Sequence, residues 1–232
     1  MLKMVRMMVI LIGWNLSLGP VLVAKGSQSD DAAPTFSFDL TLGIVTSKSQ
    51  VVASNDTGTG FTYGLGGYAG QNRSFGFLYR HDESSTTFEL NDSSGKIIWQ
   101  DTVIRYRFAF VSLGIVFSHL GAKINREGTD IMDISGEGMG GVLAFAVPIG
   151  RVGTFHLEVL TVSLSSPRNH LDQELSLGSR FDTSLSASFD LTQELLDFIV
   201  GYKQRSWQVN ADIAATEEYL STFLGFRLAA NF

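Results

Sequence analysis

The stretch FSFDLTLGIV, Phe36 to Val45, decides the fold class: Phe36, Phe38, Leu40, Leu42 and Ile44 alternate with Ser37, Asp39, Thr41 and Gly43. Successive side chains of a strand point to opposite faces, so this stretch is a strand with one apolar and one mostly polar face. The same alternation returns along the chain. It appears at Phe61/Tyr63/Leu65, Phe75/Phe77/Tyr79, Ile104/Tyr106/Phe108/Phe110, Leu113/Ile115/Phe117 and Leu143/Phe145/Val147. It continues at Phe155/Leu157/Val159, Leu185/Ala187/Phe189, Leu196/Phe198/Val200/Tyr202 and the terminal series Leu220 to Phe232. None of these apolar-face positions carries a charge, whereas the opposite face mixes Gly, Ser, Ala, His, Asp, Glu, Lys and Arg.

A soluble sandwich turns its apolar face inward, and a membrane barrel turns it outward around a polar lumen. Composition favours the second. The chain has 17 Phe and 24 Gly but only 4 Pro and 17% charged residues, more large rings than a single water-soluble core of this size would bury. Residues 1–26 read as a secretory signal peptide. Lys3 and Arg6 precede an apolar stretch from Met7 to Ala24, and a small-x-small exit follows at Ala24-Lys25-Gly26. Removing Lys3, Arg6 and Lys25 takes the net charge from -6 to -9, and an acidic chain without a basic cluster argues against nucleic-acid partners. There is no cysteine, which excludes disulfides, a lipoprotein anchor and Cys-ligated metals. After a polar lead at 27–34 no window holds an 18-residue apolar run, so the membrane would be crossed by strands rather than helices.

The repeats predict about ten strands. Longer connections are expected near 46–58, 81–101, 123–136, 165–179 and 206–218, and short ones at 70–73, 111–112, 148–153 and 191–195. Long and short connections in alternation fit surface loops and periplasmic turns. Phe36, Phe38, Phe75, Phe108, Phe110, Phe145, Phe155, Phe189, Phe198, Phe226 and Phe232 then gather at the short-turn end as an inner aromatic girdle. Tyr63, Tyr79, Tyr202 and Trp207 are expected to form the outer one. The expected fold is an all-β, closed antiparallel up-and-down transmembrane barrel of residues 35–232, with eight strands plus an external hairpin as the alternative. Within it, FELNDSSGKIIW (Phe88 to Trp99) reads as a further hairpin turning at Asn91 to Gly95, and a short helical turn is expected before Tyr219.

With its signal peptide, its Gly-aromatic strands FTYGLGGYAG and RSFGFLYR and its ending TFLGFRLAANF, the chain resembles small Gram-negative outer-membrane β-barrel proteins of the opacity/OmpA-like porin type. The resemblance implies a bacterial outer-membrane location, with outer-membrane lipid and lipopolysaccharide around the barrel. It also implies recognition of the last strand by the barrel-assembly machinery, which carries over to Phe226, Leu228 and Phe232. Oligomeric state is left open.

Register assigns a lumen charge network. Asp39, Arg107, His156, Glu158, Asp190, Asp197 and Arg227 fall toward the periplasmic half, and Arg80, Arg105, Arg180, Asp182, Lys203 and Arg205 toward the other. Opposite charges at one level would pair across a barrel this narrow and plug it. The competing reading is a narrow passage whose upper half, with five bases against one acid, leans toward anions.

Enzyme readings centre on His81 and His170. His81-Asp82-Glu83 and His170-Leu171-Asp172 lie where omptin-like proteases place Asp and His, but the order is reversed and no second Asp pair accompanies them. Ser118-His119 and His156-Leu157-Glu158 do not reproduce the His-x-Ser with Glu of lipid A deacylases. GLGGYA (Gly64 to Ala69) and GEGMGG (Gly136 to Gly141) match a dinucleotide-binding spacing but precede turn or strand rather than helix, so no cofactor is expected. INREGTDIMD lacks calcium-loop spacing. Asn55, Asn72 and Asn91 stand in Asn-x-Ser/Thr, which a bacterial barrel would not use. A surface adhesin acting through Val51 to Thr59 or Ser84 to Trp99 is a third possibility.

Overall fold

A computed structural model describes residues 35–51, 54–69, 74–88, 93–127, 129–150, 153–165, 167–169, 178–191, 196–209 and 214–231, with backbone alone beyond 209. The segments 1–26 and 27–34, His170 and Phe232 lie outside the described residues. Among the described residues there are ten long strands and one short one. They are β1 (Thr35–Val51), β2 (Ser54–Ala69), β3 (Phe75–Phe88), β4 (Ser93–Phe108), β5 (Val111–Arg126), β6 (Thr129–Ile149), β7 (Gly153–Leu164), β8 (Arg168–Asn169), β9 (Gly178–Asp190), β10 (Leu196–Gln208) and β11 (Ala214–Asn231).

Each long strand pairs antiparallel with two neighbours. The order runs β5-β4-β3-β2-β1-β11-β10-β9-β7-β6, and β6 pairs back onto β5. The chain ends meet in this ring: Thr35 pairs with Asn231, Phe38 with Leu228 and Asp39 with Arg227. The fold is an up-and-down β-barrel. Ladders that pass all the way round leave little open edge, so a chain without disulfides can be stabilised by backbone hydrogen bonds and a packed interior. Strand β8 continues the β7 side of β6 upward in the same sheet, pairing Asn169 with Ile134 and Arg168 with Ser135.

All ten expected strands are present, but four expected loops, 46–58, 81–101, 123–136 and 206–218, are largely strand among the described residues. β1 and β2 pair as far as Val51 and Ser54, β3 and β4 as far as Phe88 and Ser93, and β5 and β6 as far as Arg126 and Thr129. The expected pattern fades in these extensions because one face turns polar and the other mixes polar residues with apolar ones such as Ile97, Trp99, Ile124 and Ile134, while backbone pairing needs no apolar outer face. Phe88 to Trp99 is therefore no separate hairpin. Ser93, Ser94 and Gly95 are strand residues paired with Phe88, Thr87 and Thr86. The helical turn expected before Tyr219 is also replaced by strand from Ala214.

Two backbone features tighten the wall. The β4–β5 connection is the two-residue turn Ala109-Phe110, where Ala109 takes a φ of 51°, and Arg107 Nε donates to the Ala109 carbonyl at 2.9 Å. On β6, a Cβ at Gly140 would lie 1.7 Å from the Thr161 carbonyl oxygen, so only glycine lets β7 approach that closely. The GEGMGG and GLGGYA segments are thus both barrel wall.

Candidate functional site

Strand parity divides every side chain between outside and inside. The turns at Ala109 and Gly150 mark what we call the lower end; the turn at Glu127 marks the upper end. On the outside stand Phe38, Leu42, Ile44, Phe61, Phe75, Phe77, Phe108, Phe110, Leu113, Ile115, Phe117 and Met139, all substantially exposed, with Ile44 at 74%. Between Val147 and Glu137 of β6 the chain advances about 33 Å, or about 25 Å along the axis at a tilt near 40°. Phe38, Phe75, Phe108, Phe110 and Phe189 of the expected inner girdle are exposed. Trp207 departs from the expected outer girdle: it is 2% exposed and packs inside, edge-on to Trp99 at 6.1 Å. Its odd position on β10 puts it in register with inward Arg205 rather than with outward Tyr202.

The interior is filled in layers. Toward the upper end lies an apolar layer built from Ile97, Trp99, Leu120, Ile124, Ile134, Val162, Leu164, Trp207 and Val209. Beneath it are two fully buried guanidinium groups. Arg180 holds Asp101 through both terminal nitrogens at 2.7 and 2.8 Å and Asp182 at 2.5 and 2.9 Å, and its group lies 4.3 Å from the Trp99 ring centre. Arg205 bridges Asp182 at 3.0 Å and Asp82 at 2.7 Å. Lys203 adds a 2.6 Å bond to Asp82, whose other oxygen accepts from Thr62 at 2.8 Å, and Ser118 donates to Asp101 at 2.6 Å. Burying this many charges is tolerable only because each carboxylate is multiply bonded and each arginine meets planar acceptors or an aromatic face.

One step lower, Arg80 and Glu158 pair at 2.8 Å, with Arg105 3.9 Å from Glu158 and stacked over Tyr68 at 5.1 Å. From this level downward the lumen opens into a cavity of about 250 Å³ lined by Arg80, Asp82, Glu158, Lys203, Asp39 and His156, among others. A second hollow of about 140 Å³ continues past Arg107 and Ser112. Here His156 Nε2 is 3.3 Å from the Ser188 hydroxyl.

Of the predicted network, Arg80, Arg105, Glu158, Lys203 and Arg205 come together in the middle of the lumen. Asp39, Arg107 and His156 line the hollows below. Asp190 and Asp197 face each other in backbone register at the β9–β10 connection, and Arg227 is placed by its backbone pairing with Asp39. The expected excess of five bases over one acid is corrected. Asp82 and Asp101, read as loop residues, point inward, and Glu158 reaches the same level, so the charges nearly balance. Continuing the parity two residues beyond Arg80 and Val103 would have found both acids. The alternation within β3 and β4 gave no prompt to do so, because the outward neighbours of Asp82 and Asp101 are His81, Glu83, Gln100 and Thr102, none of them apolar.

His81 is not a rim residue either. It sits on the outer wall, stacked on Tyr63 at 4.8 Å and Phe61 at 5.6 Å. The His81-Asp82-Glu83 triplet is split by the strand, with Asp82 inside the barrel and its neighbours outside. His81 Nδ1 is 3.4 Å from Gln100 Nε2. Its Nε2 is buried without a hydrogen-bond partner, 3.7 Å from Glu83 Oε2. Glu83 accepts from Lys96 at 2.8 Å. On the hairpin beyond, Lys123 pairs with Asp130 at 2.8 Å, a hydrogen bond that holds its ammonium above the ordinary lysine value. Among the described residues no cluster of His, Cys, Asp or Glu has the geometry to hold a metal ion.

No family model and no curated protein sequence matches the chain. Among solved structures it is similar to Neisserial surface protein A, at TM-score 0.46 and 10% identity over 82% of this chain and 96% of that one. It is similar to Ail, the attachment invasion locus protein of Yersinia pestis, at 0.37 and 13% over 85% and 100%. It is also similar to the outer membrane protease OmpT from Escherichia coli, at 0.41 and 8% over 84% and 97%. At TM-scores below 0.5 these likenesses are loose and carry no weight for function.

Proposed function

We propose that the protein is exported through the signal peptide at 1–26 and spans the bacterial outer membrane as a barrel whose lumen is shut, its role being structural and presentational. The observation that carries this reading is the inversion of the wall. Large apolar side chains stand exposed on the outside over about 25 Å, the depth of a bilayer core, while nine charged groups are paired inside. In water that outer face would aggregate; in lipid it is solvated.

The layered interior supports a plug over a passage. Trp99, Arg180 and Arg205 are at most 1% exposed at mid-barrel, and the cavity beneath them ends against their layer. The near balance of charge removes the main argument for an anion-leaning pore. The barrel-assembly machinery would receive the chain through β11, whose register against β1 joins the two ends. An outer-leaflet enzyme acting through His81, or an adhesin acting through the upper hairpins, is less well supported. His81 is packed against rings on the wall, and Asp82 is committed to the lumen.

Membrane extraction followed by gels of heated and unheated samples tests the reading. Heat-modifiable migration is expected, and recovery in the soluble periplasmic fraction would refute it. In planar bilayers the wild-type protein is expected to be electrically silent; steady conductance would reinstate the pore.

A further inference from the structure

Charge inside the barrel balances level by level until the lower chamber. In the ionic layer Arg180, Arg205 and Lys203 meet Asp82, Asp101 and Asp182. Beneath them Arg80 gives both terminal nitrogens to Glu158, at 2.8 and 3.3 Å. Arg105 of β4 is left over. Among the described residues the one carboxylate within ion-pair distance of it is Glu158 at 3.9 Å, already taken by Arg80, and Arg105 makes no hydrogen bond. Its side chain is nevertheless mostly buried.

The surroundings of Arg105 are built to hold it. Tyr68, Gly76 and Arg105 form one cross-strand row over β2, β3 and β4. A Cβ at Gly76 would stand 2.8 Å from the Tyr68 ring and 3.3 Å from Arg105 Cγ, so glycine in the middle lets ring and guanidinium meet across three strands, at 5.1 Å. Arg105 also stands where the two lumen hollows join, since both are lined by Asp39, Tyr68, Arg105, His156 and Glu158. Arg107 adds a second guanidinium to the smaller hollow. Asp39 is the remaining acid, opposite Arg227 in the β1–β11 register, and Asp197 lines neither hollow. With Glu158 matched by Arg80, the chamber keeps a net positive charge.

A guanidinium shielded from bulk water is costly unless its donors are used, and its fork fits the two oxygens of a carboxylate. The rest of the larger hollow offers the hydroxyls of Thr41, Ser184 and Ser186 and the apolar Leu78 and Ile199. Its volume of about 250 Å³ lies below the roughly 300–1,000 Å³ of pockets for drug-sized ligands.

We propose that the lower chamber binds a small monocarboxylate, its two oxygens on Arg105 and its short body between Leu78, Ile199 and the hydroxyls. A phosphate dianion would need more free cations than the chamber has. The site stands on the lumen geometry; only its side of entry, the periplasmic one, rests on the outer-membrane reading above.

Full-length protein, purified from membranes in a neutral detergent and folded by the heat-modifiability criterion, is titrated with butyrate, butylammonium or inorganic phosphate by ligand-observed NMR. Butyrate is expected to bind saturably with a dissociation constant on the order of 1 mM, and the other two at least about tenfold more weakly. Arg105→Gln is expected to weaken butyrate about tenfold, and Arg105→Lys, which keeps the charge without the fork, by less. Ser186→Leu, which fills the chamber and leaves Arg105 in place, is expected to abolish binding and decides the matter if Arg105→Gln does not fold. Unchanged butyrate binding in either folded variant, no saturable butyrate binding to folded wild-type protein, or a preference for phosphate overturns the proposal. The outer-membrane reading fails by a different result, recovery of the chain in the soluble periplasmic fraction.

Discussion

At the scale of single residues, the centre of the molecule is Arg180. Its guanidinium serves Asp101, Asp182 and Ser118 at once and stacks on Trp99. Replacing it with Leu leaves two buried carboxylates short of their main partner. The variant is expected to lose about 3–5 kcal/mol in urea unfolding from lipid or detergent, since breaking one side of a buried pair strands the other charge. Lys96→Gln, with its charge on the exposed outer wall, is expected to cost under about 1 kcal/mol in the same experiment. Equal losses would mean that the lumen network contributes little. Gly140 is the second sensitive position. Gly140→Val would drive its Cβ into the Thr161 carbonyl, and the expected result is poor assembly, read as loss of the heat-modifiable form.

Among the elements, the β4–β5 turn holds local backbone strain. Ala109 occupies a positive-φ position that two-residue hairpins usually fill with glycine, and Ala109→Gly is expected to stabilise the barrel by about 1 kcal/mol, seen as slower unfolding in urea. The last strand carries a different prediction. Thr35 and Phe36 pair with Asn231 and Ala230, so removing 230–232 takes away the final rungs that join β11 to β1. Such a truncation is expected to reduce the folded yield in membranes more than Lys203→Gln does. Normal assembly of the truncated chain would count against β11 as the assembly handle.

On the scale of the whole molecule, a thin wall encloses an interior built like that of a soluble protein. An apolar layer overlies an ionic one, and the cavity runs from the lower side of the ionic layer toward the lower end. Opening it should take more than one change. The double variant Trp99→Ala/Trp207→Ala removes the two largest apolar side chains of the upper plug, which touch edge to face. It is expected to convert a silent barrel into one with measurable conductance in planar bilayers. Silence in a folded double variant would place the seal in the Arg180–Arg205 layer instead.

Period-two alternation was enough, by itself, to determine the all-β class, the ten strand positions and which side chains look outward within the apolar band. Alternation reports the difference in polarity between two faces, and in that band the difference is large. Above it the outer face turns polar while the inner face mixes buried charges with apolar side chains such as Ile97, Trp99, Ile124 and Trp207, so the expected pattern vanishes while the strands go on. For that reason the upper hairpins looked like loops, Asp82 and Asp101 were missed as lumen acids, and Trp207 was assigned to the wrong side. Which charges meet is a further matter that parity cannot reach. Arg180 and Asp101 are 79 residues apart in sequence, and Lys203 and Asp82 are 121 apart. Only the register around the ring brings them to one level. That register is set by the sum of all ten ladders, so the filled lumen and the chamber beneath it were decided by the tertiary structure.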